Sequence, residues 1–315
     1  MISWFSQQLK WLLALAMLAG LAWWVGETVG WGELLRPWRD IPWDELVVLV
    51  ILTALSYLTR ALRLYDLYRP RVGGPFRLYL RVNVLHTTIL NLLPMRMGEA
   101  AFPLMMKRYF GERYVSSFAN LLWLRVADLW VLVWLGMLVF AAHGAHWLWP
   151  PVVIGALLPL LLQPLRRYIL HATDASPRKI ARLLRILVEG LPARFSRYLR
   201  LLLWTLLTWG LKLAAFASVA AFFIDAPLAI LVPGIIAAEI SNALPIQGIA
   251  GFGNYEVAMV LGGAWSNLPT EALLAAALNL HLFILACTLL FGALALAIPA
   301  GPANGQAPGH SSSSR

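Results

Sequence analysis

Leu90-Asn91-Leu92-Leu93-Pro94-Met95-Arg96-Met97-Gly98-Glu99 and, much later, Ser241-Asn242-Ala243-Leu244-Pro245-Ile246-Gln247-Gly248-Ile249-Ala250-Gly251-Phe252-Gly253-Asn254-Tyr255-Glu256 decide how this chain folds. Each run contains Asn-x-Leu-Pro, then a glycine, then a glutamate. Each interrupts a long apolar stretch, the first at 78–106 and the second at 228–263. Proline removes a helical donor and clashes with the preceding turn. Glycine takes the backbone angles that a sharp return needs. Both stretches therefore read as two helical arms joined by a break. Unwound backbone of this kind survives at bilayer depth only where it is buried in protein or lines a wet cavity.

The surrounding composition supplies the bilayer. Of 315 residues, 60% are hydrophobic and 13% charged, with a mean hydropathy of +0.72. A soluble domain carries about a quarter charged residues, so a soluble enzyme, a disordered chain and a nucleic-acid-binding domain are excluded. Further apolar stretches at 11–29, 43–62, 117–142, 147–164, 200–224 and 272–299 read as full spans, each near the roughly 20 residues that a crossing helix needs. The 147–164 stretch is short and carries Pro150, Pro151, Pro159 and Pro164. Lys10 precedes an apolar run without a small-residue cleavage site, which predicts a retained first span. Many of the 15 tryptophans fall near segment ends, as in an interfacial aromatic belt. Cys287 is the single cysteine, so a disulfide framework and a cysteine zinc site are excluded.

The net charge of +10 reads as a topology signal. Three loops, at 60–81, 107–113 and 166–200, hold 18 of the 25 basic residues. By the positive-inside rule all three belong in the cytoplasm. That is impossible if every apolar stretch crosses, and consistent if 78–106 and 228–263 enter and leave on the same side. The expectation is an all-α polytopic membrane protein with six full spans and two re-entrant hairpins, both termini cytoplasmic. Asn91 and Asn242 are 151 residues apart, close to half the chain, so the halves 43–142 and 200–299 read as an inverted repeat within one domain, 1–300. Many secondary transporters are built this way, with the substrate at the repeat interface. Residues 301–315 are Gly/Pro/Ser-rich and read as a disordered cytoplasmic tail. The 177–200 segment alternates basic and aliphatic residues at helical spacing, as in an amphipathic helix on an anionic leaflet.

Ionisable residues inside a membrane are costly and mark function by default. Here they are Arg96, Glu99, Arg125, Asp128, Lys212, Glu239 and Glu256. Arg125 and Asp128 are three apart on one helix and read as a pair. Lys212 either snorkels or pairs with Glu239. Arg96, Glu99 and Glu256 lie at the breaks, where a guanidinium beside a helix end suits a phosphate. Asn91, Asn242 and Asn279 read as interhelical hydrogen-bonding residues. His86 and His281, each alone on an apolar helix, read as packing residues and not as metal ligands.

The run Asn91-Leu-Leu-Pro94-Met-Arg96-Met-Gly98-Glu99 resembles the first signature of the lysylphosphatidylglycerol synthase transmembrane-region family, also described as flippase-like integral membrane proteins. The Arg125–Asp128 helix and the stretch from Pro245 to Glu256 resemble its later motifs, with Gln247 where a glycine is expected. The resemblance implies a translocation module without the soluble aminoacyltransferase domain. It implies an anionic or polyprenyl-linked lipid as the bound species, in the plasma membrane. It also implies a separate aminoacyltransferase or glycosyltransferase as a partner, and no cofactor. The expected head-group site is Arg96, Glu99, Asn91, Glu256, Asn242, Arg125, Asp128, Lys212 and Glu239. The alternatives are a membrane-embedded transferase with Glu99 or Asp128 as base, and a scaffold for a separate lipid-modifying enzyme.

Overall fold

The computed structural model describes residues 19–28, 30–93, 98–173, 179–242 and 248–300. Arg96, Pro245, Gln247, most of the first expected span and the 301–315 tail lie outside the described residues.

No strand occurs among the described residues, and twelve α-helices follow one another along the chain. They are α1 (19–28), α2 (Trp31–Leu35), α3 (Trp43–Val72), α4 (Phe76–Leu92), α5 (Ala101–Phe110) and α6 (Tyr114–Ala142). Then come α7 (Trp149–Thr173), α8 (Lys179–Glu189), α9 (Phe195–Ala221), α10 (Leu228–Ser241), α11 (Asn254–Gly263) and α12 (Thr270–Ala297). Among the described residues five segments are long and apolar enough to cross a membrane: α3, α6, His146–Thr173, α9 and α12. Their outward faces keep large apolar side chains exposed, among them Val48, Ile51 and Leu55 of α3 and Ile154, Leu157 and Leu161 of α7. Lipid is the solvent such faces need.

The proline-rich stretch forms a continuous helix, α7, that runs on to Thr173. Pro159 has no amide to offer the carbonyl of Gly155, four residues earlier. Trp130 Nε1 of α6 donates to that carbonyl instead, at 2.9 Å. A neighbouring helix thus restores the missing bond, the usual way a proline is tolerated in lipid.

The two interrupted stretches each form a pair of helices, α4–α5 and α10–α11. In both, the arms meet backbone to backbone. A Cβ on Gly98 would lie 2.7 Å from Leu90 Cα, and one on Gly262 would lie 2.5 Å from Ala237 Cβ. Small residues let helices approach this closely where lipid provides no hydrophobic drive for association. The second break places Ala250 at φ 54, beside positive-φ Gly251 and Gly253.

The pairs open at opposite ends of the molecule. Gly74, before α4, lies against the Phe110 ring at the end of α5. Arg200, at the start of α9, pairs with Asp66 at 3.0 Å, near the end of α3. Arg81 of α4 meets the carbonyls of Leu296, at the end of α12, and Ile298, just beyond it. The basic segments are therefore gathered at one end. At the other end Trp265, just after α11, packs on Phe140 and His143, with ring centroids 5.4 and 5.3 Å apart.

One expected boundary is corrected. The stretch assigned to 43–62 continues as helix to Val72, so Arg60 and Arg63 belong to α3 and not to a loop. Thr53, Ser56, Arg60 and Arg63 recur every three or four residues, which makes them one polar stripe on an apolar helix.

Candidate functional site

A cavity of about 320 Å³ lies beside the end of α4 and the second break. α4 brings Asn91, α6 brings Arg125 and Asp128, and α9 brings Trp209 and Lys212. α10 brings Glu239 and Asn242, the second break brings Ala250 and Gly251, and α12 brings His281. α3 adds Arg60. Six of the nine expected site residues thus line one space. Glu99 and Glu256 stand one contact behind it, and Arg96 lies outside the described residues.

The expected Arg125–Asp128 pair is not what forms. Asp128 accepts from both terminal nitrogens of Arg63, at 2.6 and 3.2 Å, and from Trp209 Nε1 at 3.0 Å. Arg63 also donates to Thr205 Oγ1 at 3.0 Å. All four residues are buried. A buried carboxylate needs charge and several donors at once, and Arg63 from another helix supplies the fork that a neighbour on α6 does not. Arg125 turns instead to Glu99, at 3.3 Å, and Glu99 also lies 3.8 Å from His86 Nε2.

Lys212 does pair with Glu239, at 2.6 Å, with the ammonium also over the Trp209 and Phe216 rings. Glu256 is fully buried. One of its oxygens accepts from Gly253 N at 2.8 Å, and the other meets His281 Nδ1 at 2.5 Å. His281 Nε2 reaches the Ala250 carbonyl at 3.0 Å. That carbonyl only accepts, so Nε2 carries a proton. His281 thus ties α12 to the end of the second break and to the first turn of α11. The lone-histidine reading missed this partner, because Glu256 and His281 meet only through folding. Asn91 donates to Thr288 Oγ1 at 2.9 Å, and Asn279 to the Leu34 carbonyl at 3.0 Å, the helix-bridging role expected of them.

Counting charge around the cavity singles out one group. Asp128 answers Arg63, Glu239 answers Lys212 and Glu99 answers Arg125. Arg60 has no ion-pair partner among the described residues, and its Nε is shielded from solvent without a hydrogen bond. The described residues contain no cluster of three metal-ligating side chains. The cavity is therefore a largely apolar space set with a few charged groups, and among the described residues its cations outnumber the acids that answer them.

Residues 11–292 match the family model for the lysylphosphatidylglycerol synthase TM region, and the chain belongs to that family. No curated protein matches it. With five apolar helices of spanning length, it is an integral multi-pass membrane protein of a lipid-related family.

Proposed function

From that membership and that cavity, we propose a flippase-like transporter. It moves an anionic phospholipid or a lipid-linked head group across the plasma membrane, with both termini in the cytoplasm. The hairpins α4–α5 and α10–α11 are re-entrant, and the halves 43–142 and 200–299 form an inverted repeat around the cavity. The observation that carries the reading is Arg60, a cation that lines the central cavity and has no acidic partner among the described residues. A head-group phosphate supplies the missing anion, and a guanidinium binds it through a planar fork. Arg96 belongs to the same expected head-group site, and Lys212 and Arg125 line the cavity with Arg60. The acyl chains stay in lipid, which is how a modest cavity serves a large molecule. A separate aminoacyltransferase or glycosyltransferase that modifies the lipid is the natural partner.

The test is reconstitution into liposomes with a head-group-labelled phosphatidylglycerol and a labelled polyprenyl-phosphate-linked lipid. Either label should move between leaflets, and absence of movement for both overturns the reading. Arg60→Ala should slow it roughly tenfold or more, since a hydrogen bond to a charged group is worth about 1.5–3 kcal/mol.

A further inference from the structure

A second cavity, of about 150 Å³, opens at the basic end between α3, α7, the α8–α9 turn and α9. Arg71, Arg166 and Arg197 line it, together with Asp66 and Glu189. Both acids are already engaged by arginines outside the lining, Asp66 by Arg200 and Glu189 by Arg185, each at 3.0 Å. Arg166 and Arg197 have no ion pair among the described residues. Arg166 Nε is shielded from solvent with no hydrogen-bond partner. The walls are held by bonds from other helices. Gln163 donates to the Pro192 carbonyl at 2.8 Å, and Trp123 to the Leu187 carbonyl at 2.6 Å. A Cβ on Gly190 would meet Trp123 Cδ1 at 3.0 Å, so the turn sits close against α6. The cavity is preformed and lacks an anion.

Its inner wall includes Arg63. Asp128, which Arg63 holds, faces the central cavity instead. The same partition recurs on α9. Leu201 lines the outer cavity and Trp209 the central one. Thr205, midway between them on the same face, takes the Arg63 bond. One ion pair and one helix face therefore separate the two spaces.

We propose that the basic-end cavity receives the phosphate of an anionic lipid, and that the Arg63–Asp128 pair is the partition the head group passes to reach the central cavity. Only the passage rests on the transport reading; the binding does not. A phosphate held by Arg166 and Arg197 completes the charge of the outer cavity. Phosphate and carboxylate both accept the guanidinium fork in the same two-bond geometry. An advancing phosphate can therefore replace Asp128 on Arg63 without leaving that guanidinium unpaired. Asp128 meanwhile keeps its bond from Trp209. Asp128 also keeps the attraction of Arg60 and Arg125, which line the central cavity with it, so the exchange costs less than leaving a buried carboxylate bare.

The binding test uses the whole protein in phosphatidylcholine nanodiscs doped with phosphatidylglycerol, with retained lipid counted by native mass spectrometry. The R166A/R197A variant should hold phosphatidylglycerol about tenfold less well, the equivalent of losing one charge-assisted contact pair. R113A, the loss of a single exposed cation on the neighbouring loop, should match the parent. Equal retention in R166A/R197A overturns the site. Inorganic phosphate, bound as tightly by lipid-free protein and lost in the same variant, overturns the lipid assignment in favour of a free anion. The partition is tested in a C287S background carrying T87C in the central cavity. A membrane-impermeant thiol reagent applied at the basic end should label T87C faster once Asp128→Asn is added. If D128N does not fold, R63K, which keeps the charge and loses the fork, serves in its place. An unchanged labelling rate overturns the partition. Neither readout needs transport, so a failed flipping assay leaves the lipid site and the barrier standing and removes only the passage between the cavities.

Discussion

The two broken helices begin from one sequence pattern and end in two kinds of joint. At the second break Glu256 has no exposed surface, caps Gly253 and holds His281, which in turn holds Ala250. At the first, Glu99 keeps 23% of its side chain exposed and reaches Arg125 and His86 at longer distances. Position in the sequence already separates them: Glu99 follows Asn91 by eight residues, whereas Glu256 follows Asn242 by fourteen. The later glutamate therefore falls a turn inside α11, where a capping interaction is possible, and the earlier one falls at the break itself, beside the cavity. The comparison teaches that Glu256 makes a buried strut between Gly253 and His281, whereas Glu99 is held by longer contacts beside the cavity.

Substitutions can break this contrast, and the largest effect is expected at the strut. Glu256→Ala leaves Gly253 N and His281 without their partner in a fully buried place, and should cost about 3–5 kcal/mol, read as a lowered melting temperature in detergent. A melting temperature within a degree or two of the parent's would mean that Glu256 is no strut. The close glycines come next. Gly262→Ala brings a Cβ against Ala237 Cβ and the Pro233 carbonyl, and Gly98→Ala brings one against the Leu90 backbone. Each should cost about 1–3 kcal/mol as overpacking. If the two places differ as described, G262A lowers the melting temperature more than G98A, because Gly98 lies beside the longer Glu99 contacts; the reverse order argues against the contrast.

Smaller still is the effect of Glu99→Gln on stability, within about 1 kcal/mol, as for a partly exposed ion pair. Its effect on lipid movement in liposomes should be much larger than its effect on melting. A variant that melts early yet moves lipid normally would make Glu99 structural. Smallest is Ala250→Gly. It removes a side chain from a left-handed conformation that costs an L-residue roughly 1–2 kcal/mol, and pays part of that back in chain entropy. A slight rise in melting temperature is expected, and a fall would place the Ala250 methyl in a packing role.

Much of the architecture was readable one segment at a time. Apolar length and composition located the long helices, including the proline-rich one, and Asn-x-Leu-Pro marked both breaks. Charge predicted that the three basic segments belong together, and they lie at one end of the fold. The site was partly readable for the same reason, since an ionisable residue in an apolar run stands out without its partner. Its pairing was not. Apolar length alone ends that helix at 62, although the polar stripe through Thr53, Ser56, Arg60 and Arg63 carries it further. The i, i+3 spacing of Arg125 and Asp128 pointed to a pair, and each found a better partner on another helix.

What the amino-acid order determined by itself is therefore what depends on local chemistry: which segments suit lipid, where proline and glycine interrupt a helix, and which charges must be buried. What only the tertiary structure decided is who answers those charges. A buried ion takes whatever opposite charge and donors the packing brings within about 3 Å, and that distance is set by helices far apart in the chain. Arg63 with Asp128, Glu256 with His281 and Arg60 without an acid all follow from that arrangement.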